Sequence, residues 1–350
     1  MALVSQTMEA QACHFEIIFI LTFAAMRTGK DLILVTKEFT SEVKWKSWFY
    51  LLSTLLIVFA LFAGTLSPIH LSLRLVLSIL TGLVLVRLFV IYHDYEHHSI
   101  LHRSAPASII FKIFGLFILA PESIWKRSHD YHHAHNSKLF SASIGSFPIY
   151  TKEKFMSASK LERFGYLAIR HPLNIAMGYL TMFVFGMCVQ SFVSNPRKHY
   201  DSLLSLLVHF GLATAIYFMF GGMAVLLSVL LPCTLAFALG GYLFYAQHNF
   251  PGVTFKNNTE WTYEHAAIAS SSYMKMNPFM QWMTANIGYH HIHHMNARIP
   301  FYRLPEAMKA IPELQDPTVT SLSPIDIYRC LRLKVWDNDA KQLVPLSAIR

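Results

Sequence analysis

Residues 47 to 67, SWFYLLSTLLIVFALFAGTLS, run for twenty-one positions without a charged side chain. About 20 such residues cross the hydrocarbon core of a bilayer as a helix. In that medium every backbone amide must be paired within the segment. Three more stretches read the same way, 72–92, 202–220 and 223–247, and Arg74 and Arg87 are the only charges in them. Charged residues make up 14% of the chain and the mean hydropathy is +0.38, against about 25% charge in soluble domains. The expected fold is all-α and integral to a membrane, with four transmembrane helices in two hairpins and a cytoplasmic helical cap.

Two other apolar stretches, 107–121 and 173–194, need placing. The connection 195–201, NPRKHYD, carries Arg197 and Lys198, and positive loops stay cytoplasmic. The turns at 67–71 and 221–222 are uncharged. If the histidine clusters described below share one face of the membrane, an even number of crossings separates the second cluster from the last. This predicts a tight spanning hairpin over 202–247 and non-spanning elements at 107–121 and 173–194. Residues 1–46 read as a cytoplasmic or interfacial extension, 47–310 as the membrane domain and 311–350 as a cytoplasmic tail. Both termini then face the cytoplasm, as suits a multi-pass protein of a bacterial inner membrane. The stretch 17–26, IIFILTFAAM, is too short to span and lacks the basic flank of a signal peptide.

The net charge of +9 fits cytoplasmic loops and contact with anionic membrane lipids. No basic domain outside the apolar segments exists to bind nucleic acid. Cys13, Cys188, Cys233 and Cys330 are far apart, with no CxxC pair, so neither a disulfide framework nor a zinc knuckle is indicated.

Nineteen histidines remain to be explained. Most stand in short neighbourhoods at the ends of apolar segments: His93, His97, His98 and His102; then His129, His132, His133 and His135; then His248 and, further on, His265; then His290, His291, His293 and His294. Residues three and four apart share a helix face. His93 with His97, His129 with His132 and His133, and His290 with His293 and His294 each aim at a common centre on that rule. His98 and His102 form a rival pair, but Asp94 and Glu96 beside His93 and His97 offer hydrogen-bond acceptors. Eight such histidines are too many for one ion, since a zinc site closes with four ligands. Two ions of four to five nitrogens each would use them, and imidazole suits iron, zinc, copper and nickel alike. A metal-scavenging tract would not repeat one helical phase in three separate places. Haem ligation by two histidines would set them singly within spans. His70, His171, His199 and His209 stand alone and read as ordinary hydrogen-bonded residues. A transporter would line its apolar segments with polar groups, and here those segments hold few, such as Arg74, Arg87, His209 and Gln190, near their ends or alone.

HDYEH, HDYHH and HHIHH, in that order, resemble the three histidine boxes of the integral-membrane fatty acid desaturase superfamily. The resemblance covers roughly residues 45–310. The stretch 282–304, WMTANIGYHHIHHMNARIPFYRL, is similar to bacterial acyl-lipid desaturases. It implies a non-haem centre of two iron ions that uses O2 and two electrons to desaturate an acyl chain drawn from the bilayer, on a lipid or another carrier. Zinc has no redox chemistry for such a step; iron with O2 does. The implied ligands are His93, His97, His129, His132, His133, His290, His293 and His294. His248, in YAQHNF, matches the family's additional ligand, and His265 competes less well because it is further from the span. His98 is an extra candidate, since the first box reads HxxxHH. Asp94 and Asp130, each beside the first histidine of a box, are candidates to accept hydrogen bonds from ligand imidazoles. Relatives with similar boxes also act as hydroxylases or ketolases on acyl chains or carotenoids, which is the alternative reaction. No HPGG-like cytochrome b5 segment is present, so a separate electron donor such as a ferredoxin is implied. Lys126, Arg127 and Lys138 flank the second box, where they suit lipid phosphates better than an acidic donor.

Overall fold

The computed structural model describes residues 27–141 and 144–349; the 17–26 stretch lies outside the described residues. Among these, four helices are long and apolar enough to cross a membrane. The first two are α1 (Lys44–Leu66) and α2 (Leu71–Glu96). Much of α1 is exposed, including Phe49, Leu52, Leu56 and Phe59, as suits a lipid-facing helix. Most of the second half of α2 is buried, because it packs against both α1 and the last span. This helix continues four residues beyond the predicted end at 92, so His93 lies inside it and His97 caps it.

The stretch around 107–121 makes a short helix, α3 (Ala105–Phe117). The Ser104 hydroxyl accepts the Ala107 N–H at its start, and Pro106 occupies the first turn, where no amide is needed. Beyond Phe117 the chain bends by 92° into α4 (Glu122–His135). Tyr92 Oη donates to the Ala120 carbonyl at 3.0 Å and holds that bend against α2.

The stretch 173–194 is broken into Pro172–Ala176, a wide π-helical segment α5 (Tyr179–Gln190), and Ser191–Ser194. No piece of it reaches the length of a span. Tyr179 Oη donates to His209 Nε2 at 2.6 Å, while His209 Nδ1–H donates to the Phe117 carbonyl at 2.7 Å. One buried imidazole thereby ties α5 and α3 to α6 (Tyr200–Phe220). A turn at Gly221 leads into α7 (Gly222–Ala246). Pro232 has no N–H to give, and the turn ahead of it, Leu226–Leu230, widens to π spacing.

Short strands join the remaining segments. β1 (Tyr150–Thr151) pairs in parallel with β4 (Leu333–Asp337), which pairs antiparallel with β5 (Gln342–Pro345). β2 (Tyr273–Lys275) runs parallel to β3 (Val319–Ser321). Residues 311–349 are therefore folded onto the helical body. Arg170 is the fastening. It is completely buried and donates to the carbonyls of Pro148 (3.0 Å) and Leu333 (3.3 Å), to Tyr245 Oη (3.2 Å) and to Asn249 Oδ1. Removing the guanidinium strands those acceptors in a dry interior, which costs about 2–3 kcal/mol. We expect Arg170→Met to lower the thermal midpoint in detergent and to speed proteolysis between 332 and 345. An unchanged midpoint would show that the fastening is unimportant.

Candidate metal centre

The ends of α2, α4 and α7 meet a fourth short helix, α8 (His290–Met295). Nine imidazoles converge there in two groups. His93, His97, His129, His133 and His293 form the first; His132, His248, His290 and His294 form the second. Within each group the nearest nitrogens all lie within 4.8 Å of one another.

Helix geometry explains the partition. Neighbouring residues stand about 100° apart around an α-helix, so an HH doublet straddles two directions. His132 and His133 go to different groups, and so do His293 and His294. The residues four apart stay together: His129 with His133, His290 with His294, and His93 with His97. The sequence expectation of one common centre for each box is thus corrected. Each of the two HxxHH boxes serves both groups.

Facing nitrogens are close. His93 Nε2 lies 2.8 Å from His129 Nε2, which lies 3.1 Å from that of His133; His293 is 3.1 Å from His133. In the second group, His248 Nε2 stands 2.9 Å from His290 and 3.1 Å from His132, and His132 stands 3.3 Å from His294. Burial, with repulsion from neighbouring imidazoles, drives His97, His129, His132, His133, His290, His293 and His294 well below the ordinary imidazole range. Burial pushes His248 down to about 4. The rings are therefore neutral at pH 7. A neutral ring has one N–H, so this many nitrogens cannot all be satisfied by hydrogen bonds to each other. His97 Nε2 is buried with no hydrogen-bond partner among the described residues. Metal–imidazole bonds of about 2.0–2.1 Å would hold neighbouring ligand nitrogens about 3 Å apart, close to the separations seen. The donor set and spacing fit one cation per group.

Several contacts aim the rings. Asp94 Oδ1 lies 3.3 Å from His93 Nδ1, and its Oδ2 accepts the Phe301 N–H at 2.7 Å. Ser146 Oγ is 2.7 Å from His132 Nδ1, and the Ser270 carbonyl is 3.0 Å from His248 Nδ1. Trp125 stacks on His129, with centroids 4.9 Å apart. Ser146 and Ser270 were not foreseen, because neither lies near a histidine in sequence. Two glycines permit the close approaches. A β-carbon on Gly145 would sit 2.1 Å from the Ser128 carbonyl oxygen, and one on Gly288 would sit 2.4 Å from that of Met274. Arg87, buried in α2 and without a carboxylate partner among the described residues, donates to the Trp282 carbonyl and to Thr54 Oγ1 (3.1 Å) and lies 4.2 Å above the Trp282 ring. Through Arg87 and Asp94, α2 grips both ends of the 282–301 segment that carries α8.

Other candidates stand apart. Asp130 is half exposed and pairs with Lys126 at 2.9 Å; it hydrogen-bonds to no imidazole. One step along a surface helix turned it to solvent. His98 is exposed, in a left-handed conformation, and faces His102. His265 bonds to Thr254, His135 stacks on Tyr131, and buried His291 donates to the Leu314 carbonyl.

Beside the two groups lies an apolar cavity of about 560 Å³. Phe89, Phe183, Phe237 and Leu243 are among its walls, and His93, His129 and His290 form its polar end. Fold and site together define a helical membrane protein with an apolar cavity beside histidine groups suited to hold metal.

Comparison with known proteins gives the class its family. Residues 70–323 match the family model described as Fatty acid desaturase. A fatty acid desaturase of Bacillus subtilis (strain 168) is 30% identical over 325 residues, covering 92% of each chain. The sn-1 oleoyl-lipid 12-desaturase of Synechocystis is 23% identical over 68% of each chain, and the Delta(12)-fatty-acid desaturase of Arabidopsis thaliana is 27% identical over 66% of this chain and 63% of its own. The chain belongs to the fatty acid desaturase family, and it is a membrane oxidoreductase.

Two predictions test the site. Asp94→Ala should weaken metal binding about 10–100-fold, while Asp130→Ala leaves it unchanged, as measured by metal titration; equal effects would refute the assignment. His248 and His291 sit at about 4 in the fold against an ordinary 6.5. The unfolded chain therefore binds more protons between those values, and stability rises with pH across that window. The thermal midpoint of the metal-free protein should fall as pH is lowered from 6.5 to 4, whereas a flat profile would contradict it.

Proposed function

We propose that this enzyme introduces a double bond into an acyl chain taken from the bilayer, at two iron ions held by His93, His97, His129, His133 and His293 on one side and by His132, His248, His290 and His294 on the other. The observation that carries this reading is the apolar cavity ending at both imidazole groups. In the overall reaction, two hydrogens leave adjacent carbons and O2 is reduced to two waters, with two electrons and two protons supplied by a donor. When bound, the iron pair supplies the oxidising power for these C–H bonds, which no amino-acid side chain can supply.

The protein's part is positioning. Phe89, Phe237 and Leu243 line the route of the chain and keep water from it. Asp94, Ser146 and the Ser270 carbonyl fix the orientation of His93, His132 and His248. Access from lipid is supported by the helix Lys160–Ile169, which exposes Leu161 and Phe164 and ends at Ile169, on the cavity wall. The similar proteins named above are all called desaturases, which favours desaturation over the hydroxylase or ketolase alternative. Electrons come from a separate donor such as a ferredoxin. The membrane domain is read as residues 47–310, with its imidazole end, like Arg197 and Lys198, in the cytoplasm of a bacterial cell.

Expression in a host rich in saturated phospholipid should yield new unsaturated chains, seen by fatty acid profiling. His132→Ala and His293→Ala, one from each group, should each abolish the product while membrane insertion persists. Activity retained by both variants would overturn the ligand assignment. A fluorescent reporter that matures only in the cytoplasm, fused after residue 197, should be bright; a dark fusion would invert the orientation.

A further inference from the structure

We propose that Gly240, on the cavity-facing side of α7, determines how much acyl chain can lie beyond the metal centre, and thereby sets chain-length or double-bond-position selectivity. This rests on the desaturase reading above. Gly240 lines the cavity together with Ala236, Phe237, Phe244 and Gln247 of the same helix. These residues lie three, four and seven positions from it and so share one face. Gly240 is the gap between the rings of Phe237 and Phe244.

Its depth follows from helix geometry. Gly240 precedes His248 by eight residues, which is about 12 Å of helix rise. Leu85, eight residues before His93 on α2, lies on the cavity wall at the same remove from its own histidine. The cavity therefore extends well past the imidazoles, and Gly240 belongs to that far section. A β-carbon built at Gly240 meets no atom within 4 Å. The space directly in front of it is open, so a side chain added there starts into the cavity that Gly240 lines.

Selectivity must be steric here. An acyl chain leaving the bilayer for an apolar cavity exchanges one hydrocarbon environment for another, so hydrophobic transfer discriminates little. What remains is whether the chain fits, because overfilling a walled space is unfavourable.

The test compares full-length wild type with Gly240→Ala, Gly240→Leu and Gly211→Leu in a host whose phospholipids carry saturated chains of several lengths. Gly211 lies on the exposed surface of α6, also with no atom within 4 Å of an added β-carbon, so Gly211→Leu controls for glycine replacement in a spanning helix. The expected result is a graded change from Ala to Leu. Either long-chain products fall at least tenfold relative to short ones in Gly240→Leu, or the double bond moves toward the methyl end; Gly211→Leu keeps the wild-type profile. An inactive leucine variant with a shifted alanine variant also supports the proposal. It is overturned if both Gly240 variants keep the wild-type profile, if Gly211→Leu shifts it equally, or if the alanine variant is inactive. Absence of product from wild type would instead strike the desaturase reading itself.

Discussion

Imidazoles gathered in a buried interior suit a cation among them, because each neutral ring has a lone pair to give. Nine imidazoles gather here, with nitrogens 2.8 to 3.3 Å apart where they face each other. Burial keeps protons off the rings, which leaves their lone pairs for a cation and makes their mutual approach unfavourable without one. This requirement organises the fold. The ends of α2, α4, α7 and α8 have to arrive at one place, and the bend of 92° after α3, the grip of Arg87 and Asp94 on the 282–301 segment and the close approaches at Gly145 and Gly288 all serve that arrival.

The centre lies between two unlike surroundings. On one side is the apolar cavity walled by α2, α5 and α7. On the other is a polar backing of the Ser270 carbonyl, Asn249 and the buried Arg170, with the C-terminal strands fastened over it. The first side is apolar and the second keeps the rings oriented. A wide helix suits the cavity wall. At π spacing, Met182, Phe183, Gly186, Met187 and Gln190 of α5 all reach the same cavity.

Much of this was legible in the residues. Four uncharged or nearly uncharged stretches of spanning length became the four long helices, because the backbone in lipid has few alternatives. Helical phase picked out the two HxxHH boxes but left His93 with His97 against His98 with His102, a choice made on the neighbouring Asp94 and Glu96. The family resemblance and its place just after a span pointed to His248, which stands in the second group. The assignment of each ring to a group was harder. It depends on how α4 and α8 are rotated against each other, which one box seen alone does not reveal. Asp130 and Asp94 stand alike in sequence but not in the fold, because adjacency in sequence does not imply adjacency on a helix: Asp130 faces solvent and Lys126, whereas Asp94, on a buried helix end, meets His93 and Phe301. Ser146, Ser270 and Arg170 act through distant contacts, and no local pattern marks them.

The central claim is that each imidazole group holds its own iron ion. The most direct measurement is iron per chain, by elemental analysis and Mössbauer spectroscopy, in protein purified in detergent after loading under anaerobic conditions. The account predicts two irons per chain, matching the two groups, and loss of one when His248 is replaced by alanine. A wild-type protein that holds at most one iron, or an unchanged content in His248→Ala, would contradict it.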